Sequence, residues 1–179
     1  MAKVRKGLGI LVSRLREQGL KVTAQWFTDH ALRLLRGMSP PRTSRIAPSV
    51  YVGGQHYRRG LARMAHLGIS ASLSLREEAD DRDRGVALEK HLWLPTPDDA
   101  ALTLERLHEA SAFIGRAWAE GRGVYVHCAS GVGRAPTAAA AYLVSKGLTP
   151  GQAWASIERV RPFIRPTAAQ RAVIEEVHR

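Results

Sequence analysis

His127-Cys128-Ala129-Ser130-Gly131-Val132-Gly133-Arg134 constrains this chain more than any other stretch. Val124-Tyr125-Val126 before it reads as a short buried strand, and Ala135 to Val144 after it as a helix. A strand, a tight loop and a helix N-terminus in succession aim backbone N–H groups and the positive end of a helix dipole at one spot. Cys128, the only cysteine of the chain, stands at that spot. A positive field of this kind favours thiolate over thiol, and the thiolate is the nucleophilic form. Arg134, six residues on, is placed to hold two oxygens of a tetrahedral oxyanion. Gly131 and Gly133 let the backbone curl closely around an anion where a Cβ would intrude. The candidate cradle is therefore Ala129, Ser130, Gly131, Val132, Gly133 and Arg134 around the nucleophile Cys128. Covalent hydrolysis of a phosphate ester is the chemistry expected of it.

The rest of the chain alternates between periods of two and of 3.6. Val50–Val52, Ile69–Leu75, Leu88–Leu94 and Val124–His127 read as strands. Arg58–His66, Thr103–Ala119, Ala135–Lys146, Pro150–Arg159 and Ala168–His178 read as helices. Thr149-Pro150-Gly151-Gln152 and Thr167-Ala168-Ala169-Gln170 both match the capping box. This order predicts an α/β domain with a central, mostly parallel sheet flanked by helices. Such sheets bind ligands at the carboxyl ends of their strands, where Val124–His127 delivers Cys128.

His-Cys-x5-Arg resembles the signature of the cysteine-dependent protein tyrosine phosphatases, in particular their small dual-specificity branch. Ile46-Ala47-Pro48-Ser49-Val50-Tyr51-Val52-Gly53-Gly54 is similar to the opening strand of those domains. Leu94-Pro95-Thr96-Pro97-Asp98 resembles their general-acid loop, and Arg161-Pro162-Phe163-Ile164-Arg165-Pro166 their closing segment. The resemblance covers roughly residues 44–179, read as the phosphatase domain, and leaves residues 1–43 as a basic helical extension and linker. It implies in-line attack by Cys128 on a phosphomonoester, protonation of the leaving group by Asp98, and hydrolysis of the phosphocysteine, with no metal or other cofactor. Asp98 stands 30 residues before Cys128; its neighbour Asp99 is the alternative acid. His127 is expected to orient the thiolate through hydrogen bonds rather than to act as a base.

The sequence departs from the family pattern in one place. Most members carry Ser or Thr directly after the loop arginine, where the hydroxyl bonds the departing thiolate. Here Ala135 follows, then Pro136 and Thr137, as in plant-type glucan phosphatases. Thr137 and Ser130 are the candidates to substitute for that hydroxyl. Ser74-Leu75-Arg76-Glu77-Glu78, with Asp80, Asp81 and Asp83, resembles a segment of mitochondrial-type lipid phosphatases. The plainer reading of it is a solvated acidic loop, with Arg76 or Glu78 available to line a cleft. His30, His56, His66, His91, His108 and His178 show no metal spacing. Substrate stays open among phosphoprotein, phospholipid headgroup, and sugar, inositol or RNA 5′ phosphate. The alternative from another class is a pseudophosphatase that binds a phosphorylated partner without turnover.

Net charge is +11. Residues 1–38 hold Lys3, Arg5, Lys6, Arg14, Arg16, Lys21, Arg33 and Arg36 against Glu17 and Asp29, a net of +6. Two helical patterns meet there at Gly19: Leu8, Leu11, Val12 and Leu15, then Leu20, Ala24, Phe27, Ala31, Leu34 and Leu35. The main expectation is a helical pair packing its apolar faces on the domain; the second is an amphipathic arm on an anionic membrane surface. Nucleic acid is the less favoured polyanion. Gly37-Met38-Ser39-Pro40-Pro41-Arg42-Thr43-Ser44 reads as a linker. One cysteine allows no internal disulfide, and no run approaches the ~20 apolar residues of a membrane span. Arg14 interrupts the apolar run too soon for a signal peptide. These features fit a cytoplasmic protein, with peripheral membrane contact as an option.

Overall fold

A computed structural model describes residues 2–178, with the side chains of residue 9 and residues 11–178. The expectations for Lys3, Arg5, Lys6 and Leu8 fall on side chains outside that set. Five strands form one sheet: β1 (Arg45–Ala47), β2 (Val50–Gly54), β3 (Ile69–Arg76), β4 (Lys90–Thr96) and β5 (Gly123–Cys128). Their spatial order is β1-β2-β5-β3-β4, with β1 antiparallel to β2 and every other pairing parallel. β5 lies in the centre and is buried along its whole length, as expected of a parallel strand covered on both faces. Its last residue, Cys128, is in register with Gly54 at the end of β2.

The sheet matches the predicted α/β architecture, with strand limits shifted by a residue or two. β1 is the strand that periodicity misses, because three residues are too few to show alternation. Pro48 and Ser49, the latter at φ 60°, turn it back into β2.

The helices are α1 (Ala2–Arg36), α2 (Leu61–His66), α3 (Leu104–Ala119), α4 (Arg134–Ser145), α5 (Pro150–Val160) and α6 (Ala168–Val177). The Arg58–His66 pattern divides into a 3-10 turn over Arg58–Gly60 and the short α2. Both predicted capping boxes form, with Thr149 on Gln152 and Thr167 on Gln170. α4 is buried from Arg134 to Val144. Ala135 and Ala138–Ala141 give it the small surface needed to lie close against the sheet, among α3, α5 and α6. A second core cluster joins Met38, Tyr51, Met64, Ile69 and Tyr125. Met38 and Ser39, expected in a linker, are completely buried.

α1 breaks at Gly19, which takes φ 76° and ψ 172°, so two helices meet there as the two patterns predict. The direction of its faces is a correction. Arg14, Thr23, Asp29 and Arg33 point into the protein, whereas Leu20, Phe27, Leu34 and Leu35 are exposed. The surface beneath α1 offers backbone carbonyls as well as the Ser39, Thr43 and Arg161 donors that reach Asp29. Arg14 donates to Phe163 O at 3.1 Å, Gln18 to Ile164 O at 3.1 Å and Arg33 to Gln55 O at 2.9 Å. Buried donors and acceptors both need partners opposite them, so the polar edge of α1 faces inward. Among the described residues, no helix is long and apolar enough to cross a membrane.

Candidate active site

The Cys128–Arg134 loop is shaped from outside. Ala129 O accepts from Gln55 N at 3.1 Å, and Val132 O from Arg165 N at 2.7 Å. Arg161 donates from Nη2 to Ser130 O at 3.3 Å and from Nε to Gly131 O at 2.7 Å. No cis peptide occurs among the described residues. In a trans peptide the carbonyl of one residue and the N–H of the next point opposite ways. Four carbonyls held outward therefore turn the N–H groups of Ser130, Gly131, Val132 and Gly133 toward the inside of the loop. The Gly131 N–H donates to Cys128 Sγ at 3.2 Å. Gly131 sits at φ 71°, and a Cβ there would come within 2.3 Å of the Gly53 carbonyl carbon. Glycine is required on both counts.

Arg134 is almost completely buried at the start of α4. Nη1 donates to Thr96 O at 2.7 Å and to Leu75 O at 3.2 Å, at the carboxyl ends of β4 and β3. Nη2 contacts Glu78 Oε1 at 3.1 Å and Asp98 Oδ1 at 2.9 Å. Nε is buried without a partner. The Nε–Nη2 edge is thus the one that an incoming oxyanion can take in bidentate fashion. Burial works against the guanidinium's charge, but Cys128, Glu78 and Asp98 outweigh it and raise the pKa.

Asp98 extends into solvent, its side chain 71% exposed. Asp99 takes φ 63°, and its carbonyl accepts from Thr167 Oγ1 at 3.3 Å. Of the two, Asp98 is the one in contact with Arg134. Ala135 is buried and brings no hydroxyl to the sulfur. Thr137 Oγ1 bonds back to Gly133 O at 2.9 Å.

His127 is buried beside Cys128, with Nε2 2.7 Å from Asp81 Oδ2. Asp81 also accepts from Gln55 Nε2 at 2.9 Å. The ring of His56 stands edge-on to His127 at 4.9 Å between centroids, and its Nε2 donates to Val86 O at 2.7 Å. Burial, reinforced by the neighbouring His127 and opposed by Asp81, lowers the pKa of His56 to about 4. Burial pushes the Asp81 carboxyl upward, but His127, His56 and Gln55 together hold it below the usual carboxylate range. Donor atoms of His56, Asp81 and His127 lie within 4.8 Å of one another, a spacing that a metal could use. The Nε2 atoms of both histidines are engaged by Val86 and Asp81 and brace His127, while both Nδ1 atoms are buried without a hydrogen-bond partner.

The acidic segment therefore differs from a solvated loop. Asp81 and Asp80 are buried, and Glu78 reaches Arg134. Periodicity misses Asp81, His56, Gln55 and Asp29. Asp29, on α1, accepts from Arg161 Nη1 and Nη2, each at 3.2 Å, and from Thr43 Oγ1 at 2.6 Å. The one sequence signal for it was its place as one of two acids among the cations of the extension.

The model of the dual specificity phosphatase catalytic domain matches residues 50–179. The phosphatidylglycerophosphate phosphatase PTPMT1 of Arabidopsis thaliana is 30% identical over 141 residues, 75% of this chain and 42% of the relative. Protein phosphatase Slingshot homolog 3 of Mus musculus is 29% identical over 143 residues, 78% of this chain and 21% of the relative. The chain thus spans less than half the length of these curated relatives. A crystal structure of PTPMT1 in complex with PI(5)P superposes with a TM-score of 0.69 at 26% identity, covering 74% of this chain and 92% of that one. Tk-PTP in its active form gives 0.67 at 30% identity, covering 76% and 96%. With the domain match taking in more than half of its residues, the chain belongs to the dual specificity phosphatase family.

Proposed function

We propose that this chain hydrolyses phosphomonoesters through a phosphocysteine, and that the phosphate is carried on a phospholipid headgroup reached at a membrane surface. The convergence of Cys128 Sγ, the Nε–Nη2 edge of Arg134 and the Asp98 carboxyl around one loop carries the reading. Substrate phosphate takes the Nε–Nη2 edge of Arg134 and the inward N–H groups of the loop, displacing the Asp98 carboxylate from Nη2. Freed from that pairing, Asp98 takes up a proton from solvent and can serve as acid. Sγ attacks phosphorus in line, the S–P bond forms, the P–O bond breaks, and Asp98 gives its proton to the leaving oxygen. Water, deprotonated by the same carboxylate, then attacks phosphorus and releases the thiolate and inorganic phosphate. Arg134 and the loop N–H groups stabilise the transferring phosphoryl group in both steps.

Two things support a lipid carrier. A relative is a phosphatidylglycerophosphate phosphatase, and a structural neighbour was crystallised with PI(5)P. The exposure of Pro97 and Asp98 leaves room for a large headgroup. The test is phosphate release from phosphatidylglycerophosphate in mixed vesicles, beside phosphotyrosine and phosphoserine peptides and a soluble aryl phosphate. The lipid should give the highest kcat/KM, and Cys128→Ser should abolish all release while keeping phosphate binding. Faster release from either peptide would overturn the lipid class.

The second reading is a phosphate-binding pseudophosphatase. It draws on Ala135 and on the commitment of Thr137 to Gly133 O. Phosphate binding with no release from the aryl phosphate would establish it instead.

A further inference from the structure

α1 turns the wrong face outward for a helix that only packs. Leu20 is 77% exposed, Phe27 63% and Leu35 72%, with Leu34 beside them. Positions 20, 27 and 34 recur every seven residues and share one side of the helix, with Leu35 at its border. Single exposed leucines are ordinary, but a run of large apolar side chains along one helix marks a contact surface. Its surroundings are basic. Arg16 and Lys21 are exposed on α1 itself. At its C-terminal end an open cleft of about 570 Å³ is lined by Leu35, Arg36, Arg59, Ala62, Arg63 and His66, with no acid among them. Glu17, the exposed acid of this helix, is occupied by Arg165 at 2.5 Å.

We propose that the outward face of α1, with the Arg36–Arg59–Arg63 cleft at its end, docks the protein on an anionic lipid bilayer. The apolar row enters the boundary between headgroups and acyl chains, and the arginines take lipid phosphates. Charge selects this occupant. A second copy would bring two cationic faces together, and a neutral surface would leave the arginines without counterions. Leu20 to Leu35 spans ~22 Å at helical rise, and the helix lies along the surface. The opposite edge of α1 grips the catalytic loop's supports, since Asp29 holds Arg161 and Arg33 bonds Gln55 O. Docking would therefore keep the loop at the membrane. The docking stands without turnover; its bearing on substrate rests on the lipid-phosphate reading.

The test is flotation of the full chain with phosphatidylcholine vesicles, with and without phosphatidylglycerol. Binding is expected only with the anionic lipid, and should fall as salt rises. Phe27→Glu with Leu34→Glu should abolish flotation. Arg59→Glu with Arg63→Glu should weaken it at least ~10-fold, since each basic contact at such a surface is worth about fivefold. Both variants change exposed residues outside the catalytic machinery, so they should hydrolyse the soluble aryl phosphate at the parent rate. Flotation of Cys128→Ser would support docking whatever becomes of the phosphatase reading. A parent that hydrolyses the aryl phosphate yet ignores anionic vesicles at low salt would overturn the docking. So would a dimer in sedimentation that Phe27→Glu converts to monomer, because the row would then be a contact between copies.

Discussion

The ion pair between Asp29 and Arg161 ties the N-terminal helix to the Cys128–Arg134 loop, and on the proposed function removing its charge should affect stability and turnover together. Arg161 is completely buried and Asp29 nearly so. Asp29→Ala leaves the guanidinium without a countercharge, a loss of ~3–5 kcal/mol when a buried pair is broken from one side. That is a large share of the roughly 5–15 kcal/mol that holds a typical domain. Asp29→Asn keeps the shape but leaves one acceptor oxygen for two guanidinium N–H groups, so one charge-assisted hydrogen bond of ~1.5–3 kcal/mol is lost to a facing NH2 donor. A loss of ~2 kcal/mol is expected, enough to measure without unfolding the protein. Arg161 also orients the Ser130 and Gly131 carbonyls. A loosened guanidinium lets the peptides rotate and the inward N–H groups drift, and misplacement of ~1 Å can cost as much as 10²-fold in rate. For Asp29→Asn, kcat/KM on an aryl phosphate should fall ~10-fold, with weaker inhibition by phosphate, whereas Asp29→Glu should restore part of both. Urea unfolding gives the first quantity, and steady-state kinetics on folded protein the second. If Asp29→Asn loses stability while kcat/KM and phosphate affinity stay at the parent values, the pair is only a structural staple. The positional role assigned to it is then wrong.

Asp98→Asn should lower turnover by ~10²–10⁴, and by less for a leaving group too acidic to need a proton. The same pattern from Asp99→Asn alone would move the acid to Asp99. Ala135→Ser returns a hydroxyl near Cys128 Sγ and should shrink any pre-steady-state burst; its absence from both proteins would show that phosphoenzyme breakdown does not limit turnover. His56, with its pKa lowered to about 4 in the fold against about 6.5 for a free histidine, binds fewer protons folded than unfolded. Its contribution to stability is complete above pH 6.5 and lost as pH falls toward 4, by up to ~3 kcal/mol. His56→Gln should flatten the stability profile over that window, and an unchanged slope would refute the assignment.

The parts of the site legible in the sequence are those encoded over short stretches. Strand, loop and helix around Cys128 lie within 25 residues, and turn chemistry and period are enough to order them. Thr149 with Gln152 and Thr167 with Gln170 are equally local, and both caps form as read. The brace of His127 is different. Asp81 precedes it by 46 residues, in a segment whose acidic composition alone points to solvent. Only the sheet, by placing β3 beside β5, brings the end of that segment under the histidine. Arg161 and Asp29 are 132 residues apart and share no pattern. α1 shows a subtler limit. Periodicity correctly finds its apolar row but carries no information on which side the neighbour lies, and the usual assumption that apolar faces inward fails here.

That failure follows from how the Cys128–Arg134 loop is built. A loop that turns its N–H groups inward for an anion must turn its carbonyls outward, and buried carbonyls need donors. Arg161 supplies two of them, and a fully buried guanidinium in turn needs a carboxylate. The carboxylate comes from α1, as does the Arg33 guanidinium on Gln55 O, the residue whose own N–H holds Ala129. Residue 29 and residue 33 both precede residue 50, where the family match begins. The helix is therefore joined to the site by polar contacts that the loop's own geometry demands. Once its polar edge is used in this way, its apolar row has only the outside left, and the same helix comes to support the Cys128–Arg134 loop on one side and to offer a basic, apolar surface on the other.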